Sequence, residues 1–253
     1  MSVATPDLTL LRRACAPCTL RQFCQQSGAT RYVHETGVTG LVQPLQRGAS
    51  LFRVGDPQGS VYIVRSGALK TAAVTEDGEE HILGFHLPGE LVGLDCLPSG
   101  AHCVQAEALT DSRVCAVPLE QLFACSSAAP GMTRELMQVI GRTALDCQAH
   151  VDVLLRRQAG ERIALFLHGL LLRYRRSQVD TVQLNLPMSR EDVARHLGLA
   201  LETVSRGFTR LQDEGVITVA GRAVRIVDLE RLRRMALLPD SGSGPEPSLQ
   251  RQA

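Results

Sequence analysis

Three thiols crowd the start of this chain. The stretch CAPCTLRQFC places Cys15, Cys18 and Cys24 at the spacing C-x2-C-x5-C, with a proline between the first two. Three thiolates are one donor short of the four taken by a tetrahedral zinc ion or an iron–sulfur cluster, and spacing alone does not choose between the two. Five further cysteines, Cys96, Cys103, Cys115, Cys125 and Cys147, are spread along the chain. For any one of these the ordinary reading is a small buried apolar side chain. No apolar run approaches the roughly 18 residues of a membrane span, and the start, MSVATPDLTLLRRACAP, has no signal-peptide core. The expected location is therefore the cytoplasm, where closely spaced thiols hold metal or do redox chemistry more often than they form structural disulfides.

A second stretch carries chemistry of another kind, SREDVARHLGLALETVSRGFTRLQDEG. Ser189 followed three residues later by Asp192 predicts a capped helix start. Val193, Ala194 and Leu197 give that helix an apolar face, and Gly198 marks a sharp turn. A second helix begins near Leu201 and buries Val204, Phe208 and Leu211. Two short helices with a glycine turn, followed by the strand pair of VITVAGRAVRIVD, describe a winged helix-turn-helix. The second helix then presents Glu202, Ser205, Arg206 and Thr209. Arginine pairs with guanine in the major groove and a carboxylate accepts from cytosine N4. Glu202 and Arg206 stand four apart, a spacing that also suits a plain surface ion pair. Arg222 and Arg225, in the strand pair, suit phosphate contacts. The charge supports double-stranded DNA as the partner: residues 160–236 carry a net +4, against −2 for residues 1–159.

These groups need a frame to hold them. Residues 41–130 read as short strands punctuated at Gly55-Asp56-Pro57, Ser66-Gly67, Glu76-Asp77-Gly78 and Pro88-Gly89, the pattern of a β-roll or sandwich. From Met132 to Arg157 apolar residues recur at Leu136, Val139/Ile140, Thr143, Cys147, Val151 and Leu154, the period of a long amphipathic helix. A helix of this length either packs along its own β domain or pairs with a second copy. The length favours pairing, which would make the chain a homodimer, and Asp152 beside the stripe opposes close pairing while charged. The expected organisation is a cysteine-rich segment (1–40), a β-roll sensory domain (41–130), a dimerisation helix (131–158), a winged helix-turn-helix (159–236) and a disordered polar tail (237–253). The class is α+β. No flavin or nucleotide fingerprint and no catalytic acid–base pair stands out, so the chain does not read as an enzyme.

Taken together, CAPCTLRQFC, SVYIVRSGALKTAAVTEDGEEHILGFHLPGELVGLD, SRVCAVPLEQL and LETVSRGFTRLQDEG make the chain resemble the cyclic-AMP receptor protein/FNR superfamily of transcription regulators, and within it the oxygen-sensing FNR branch. The resemblance implies a fourth thiolate at Cys115 and, on Cys15, Cys18, Cys24 and Cys115, an oxygen-labile [4Fe–4S] cluster. A structural zinc or a thiol/disulfide switch at the same four residues is the alternative. The resemblance also implies base contacts from Glu202, Ser205 and Arg206 to palindromic TTGAT half-sites, and RNA polymerase as a further partner. Cyclic-nucleotide-binding members carry an Arg-Ser pair in the phosphate-binding turn. The corresponding GELVGLDCLPSGAHCVQAEAL has no arginine or lysine, so cyclic nucleotide is not the expected effector.

Overall fold

The computed structural model describes residues 42–57, 59–95, 97, 99–120, 130–176 and 182–238. Cys15, Cys18, Cys24, Cys96, Cys125 and the tail beyond residue 238 lie outside the described residues, and so does the expectation that the tail is disordered. The chain divides into two units, one running to His150 and including Pro187–His196, the other comprising Val151–Leu186 and the chain from Leu197 onward.

Among the described residues the first unit holds eight short strands: β1 (Val42–Leu45), β2 (Ser50–Phe52), β3 (Ser60–Ser66), β4 (Leu69–Val74), β5 (Glu80–His86), β6 (Leu91–Val92), β7 (Gln105–Ala108) and β8 (Ser112–Pro118). They form two four-stranded antiparallel sheets, ordered β1-β8-β3-β6 and β2-β7-β4-β5. Alternation is the cause: in SVYIVRS, Val61 and Ile63 are buried while Tyr62 is half-buried. The turns expected from glycine are all present, with positive φ at Gly55, Gly67, Gly78 and Gly89. Gly67 is the most constrained, since a Cβ there would collide with Ser112 and the Asp111 carbonyl. One core cluster joins Phe52, Val64, Leu69, Val92, Ala106, Ala108 and Val114. The other joins Val61, Ile63, Leu91, Val117 and Leu119 to Leu136 and Val139, with Cys115 and Ile140 packed against it.

Leu136 and Val139 belong to α1 (Pro130–Leu155). The expected helix is therefore real but begins two residues before Met132, where proline suits a first turn, and stops at Leu155 rather than Arg157. Its stripe divides. Leu136 and Val139 are buried in the unit's own core, whereas Met137, Leu145, Val151 and Leu155 are exposed.

A short helix, α3 (Arg190–Leu197), packs on the sheet of β4 and β5. Ser189 and Asp192 cap it reciprocally: the Ser189 N–H donates to Asp192 Oδ2 (2.8 Å), and the Asp192 N–H donates to Ser189 Oγ (3.0 Å). Lys70 on β4, the sole lysine in the chain and only 7% exposed, sits among carboxylates. Its Nζ lies 2.9 Å from Glu80, 3.9 Å from Glu107 and 3.8 Å from Asp192. Glu80 Oε2 also accepts from Arg195 Nη1 at 2.8 Å. Burial pushes the Glu80 carboxyl up, but hydrogen bonds and charge from Lys70 and Arg195 outweigh it and hold the group below its ordinary value. On the same helix His196 lies 3.0 Å from the Ile82 carbonyl through Nδ1 and stacks on His150, with ring centroids 4.0 Å apart.

The second unit holds α2 (Ala159–Arg176), β9 (Gln183–Asn185), α4 (Leu201–Asp213), β10 (Ile217–Ala220), β11 (Ala223–Ile226) and α5 (Leu229–Met235). The strands form one antiparallel sheet ordered β10-β11-β9. Ile163, Leu167, Leu170 and Leu171 of α2 are at the centre of its core. The sequence reading did not include α5, although its signals are present. Asp228 caps it by accepting the Arg231 N–H at 2.8 Å, and Leu229, Leu232 and Met235 recur every three residues.

Replacing Glu80 with Gln removes a half-buried anion that two cations share, which should cost about 1–2 kcal/mol at pH 7. Because the folded-state pKa of Glu80 is depressed, its contribution is complete above the unfolded value and is lost as pH falls through the folded one. Urea denaturation from pH 7 to pH 3 should therefore show the gap between variant and parent closing as acid is added.

Candidate nucleic-acid interface and cysteine site

In the second unit α4 is set by its buried side, Val204, Phe208 and Leu211, as the sequence predicts. Gly207 brings it close to α2, for a Cβ at that position would run into the Ile163 side chain. At its start Gly198 takes φ +60°, and Arg162 reaches across from α2 to donate to the carbonyl of Leu197 (3.0 Å) and, through Nε, to that of Arg156 (2.9 Å). At its end Glu214 accepts from Arg210 (2.7 Å) and from Arg231 (2.9 Å), while the other Arg231 nitrogen donates to the Glu214 carbonyl (3.0 Å). The Arg210 hydrogen bond is foremost in holding the Glu214 carboxyl below its ordinary value. Arg162, Glu214 and Arg231 thus fix both ends of α4. Sequence reasoning missed all three, since only the four-residue spacing of Arg210 and Glu214 gave any sign of them.

With its ends held, α4 turns Glu202, Ser205, Arg206 and Thr209 to solvent together. The same spacing that joins Glu191 to Arg195 (2.7 Å) and Arg210 to Glu214 (2.7 Å) produces no ion pair between Glu202 and Arg206. Their charged ends therefore stay available to another molecule. Thr209 Oγ1 donates to the Ser205 carbonyl at 3.2 Å. In the strand pair Arg222 stands at the tight turn and Arg225 opposite Thr218, both exposed.

Cys115 lies mid-strand in β8, half-buried. Its neighbours in the sheet are Val42 of β1 on one side and Ile63 of β3 on the other. Cys15, Cys18 and Cys24, the other three thiols of the expected site, lie outside the described residues. A half-buried thiol such as Cys115 suits one donor position of a four-thiolate site, for a cluster or a zinc ion alike.

The loop between β6 and β7, free of lysine and arginine, holds an anion of its own. Asp95 Oδ2 accepts the N–H groups of Cys103 (3.0 Å) and Val104 (3.4 Å), and Oδ1 lies 3.2 Å from His102 Nδ1. The His102 ring is 3% exposed and stacked on Phe52 at 3.6 Å. Partial desolvation, together with the Asp95 charge, pushes the Cys103 thiol up. The sequence reading assigned neither residue a role.

Residues 42–128 match the family described as the cyclic nucleotide-binding domain, and residues 161–235 match the Crp-like helix-turn-helix domain. The transcriptional activator protein anr of Pseudomonas aeruginosa is 46% identical over 194 residues, 77% of this chain and 80% of that protein. The fumarate and nitrate reduction regulatory protein of Escherichia coli is 34% identical over 243 residues, 91% of this chain and 96% of that protein. The structure of FixK2 from Bradyrhizobium japonicum superposes with a TM-score of 0.70 at 30% identity, covering 78% of this chain and 98% of that one. With a β-sandwich of the cyclic-nucleotide-binding type, a Crp-like reading unit and relatives that are transcription regulators rather than enzymes, the chain belongs to the Crp/FNR family as a DNA-binding transcriptional regulator of the FNR/Anr type.

Proposed function

We propose that the chain activates anaerobic gene expression in the cytoplasm, responding to oxygen through a [4Fe–4S] cluster held by Cys15, Cys18, Cys24 and Cys115. The observation that supports this reading is the half-buried Cys115 thiol, packed against the same hydrophobic cluster as α1. When bound, the cluster supplies an oxygen-sensitive redox centre. What the chain adds is a packed route away from that thiol. Cys115, Ile63, Leu136 and Val139 belong to one cluster, so a displacement of Cys115 is felt in the first turns of α1.

Further along, α1 offers an exposed seam. Met137, Gly141, Ala144, Gln148, Val151 and Leu155 follow one another at spacings of four and three, with small residues where two backbones would approach. This seam is the homodimer interface in our reading. Asp152 lies beside it and is answered by Arg156, just past the end of α1, at 2.8 Å, which reduces the repulsion expected from the sequence. A two-fold pair places two copies of α4 on the half-sites of a TTGAT-type palindrome. Glu202 and Arg206 read the two bases of one G·C pair, Ser205 and Thr209 support them, and Arg222 and Arg225 meet phosphates. RNA polymerase is then recruited as the further partner.

Cys115→Ser should lose iron and acid-labile sulfide after strictly anaerobic purification. Retention of both would remove Cys115 from the ligand set, and zinc in the parent protein would replace the cluster with a structural site. Val151→Glu buries a charge in the seam and should leave the chain monomeric by sedimentation at concentrations where the parent is dimeric. Glu202→Ala should reduce discrimination at one G·C pair by about 1–3 kcal/mol in competition binding while non-specific binding persists. A uniform loss on all sequences would contradict a base-reading role.

A further inference from the structure

The domain that houses Asp95 belongs to a family described by a ligand with an anionic phosphodiester. In this chain the groups that attract an anion are already engaged. Two successive backbone N–H groups, of Cys103 and Val104, converge on one oxygen, as they do wherever consecutive amides form an anion-binding concavity. A carboxylate only accepts, so His102 donates to it through Nδ1 at 3.2 Å. The donors are rigidly held. The His102 N–H donates to the Asp56 carbonyl (3.0 Å), its own carbonyl accepts from Gly55 (2.8 Å), and its ring lies nearly parallel to Phe52, at 9°. Gly93, at φ +92°, lets the chain pass against Tyr62, His102 and Phe52 before delivering Asp95 into the cradle. The Asp95 side chain is only 17% exposed, and a carboxylate so far out of water needs this many donors.

We propose that this loop is an anion-binding site whose occupant is the chain's own Asp95 carboxylate, an internal substitute for a diffusible anionic effector. The β-sandwich keeps the effector loop closed without a ligand, and the site, once vacated, accepts a small external carboxylate or phosphate. This assignment is independent of the cysteine site, because it uses none of the four thiols and stands whatever metal they hold.

The test is chemical rescue in the anaerobically purified full-length protein. Asp95→Ala removes the anion and leaves its donors unpaired, so the thermal midpoint should fall by about 3–10 °C. Formate or inorganic phosphate at tens of millimolar should restore at least half of that loss, while chloride at equal ionic strength should not, and the parent protein should respond to neither. Absence of anion-specific recovery, or equal recovery in the parent, overturns the proposal, as does binding of cyclic AMP or phosphate to the parent with the affinity seen in Asp95→Ala. Should Asp95→Ala fail to fold, Asp95→Asn keeps an acceptor for Cys103 and Val104 and removes the charge. Without that charge the Cys103 thiol should ionise more readily, so site-resolved alkylation of Cys103 at pH 8 should accelerate several-fold. An unchanged rate would mean that no carboxylate is seated beside Cys103.

Discussion

The structure turns on the position of β8 between β1 and β3. Held by two partners, β8 sets the depth of Cys115 at its middle. The same residue packs against a cluster to which α1 contributes Leu136 and Val139. A thiol at a sheet edge would have neither property: it would be free to shift alone, and nothing in a helix would register the shift. Close packing ties the thiol to the helix, since a core with few voids passes on small displacements instead of absorbing them.

A different economy governs α3. Its residues up to His196 pack with the sandwich, and the chain from Leu197 belongs to the second unit. Charge dominates this contact. Lys70, Glu80, Asp192 and Arg195 form a network in which no single pair is isolated, and Asp192 also closes the helix cap. Buried ion pairs add little stability over apolar packing, but they are intolerant of wrong partners and so fix register. The network defines which face of α3 meets the sheet, and aromatic stacking of His196 on His150 completes the fit.

What the sequence disclosed follows the range of the interactions involved. Turns that need positive φ, the Ser189–Asp192 cap and the apolar spacing of Val204, Phe208 and Leu211 are local, and each was legible. The exposed face of α4, with Glu202, Ser205, Arg206 and Thr209, was legible for the same reason, from helical period alone. Long-range partners were not. Arg162 meets Leu197 from 35 residues away and Arg195 meets Glu80 from 115, and no periodicity announces such pairs. The stripe on α1 was visible as a whole, but its division into a core-facing part and an exposed seam depends on where the sandwich ends. Asp95 gave no local signal either, since its partners His102, Cys103 and Val104 follow at no regular period.

One feature of the composition acquires meaning from the fold. Lys70 is the only lysine, and it is sealed among carboxylates. Every side-chain cation that the protein shows to solvent is therefore a guanidinium or a histidine ring. Guanidinium keeps its charge at any pH the cell reaches and forms directional, two-pronged contacts. Reagents and enzymes that neutralise lysine by acylation find no accessible side-chain amine here. The surface positive charge is thus out of reach of that form of control.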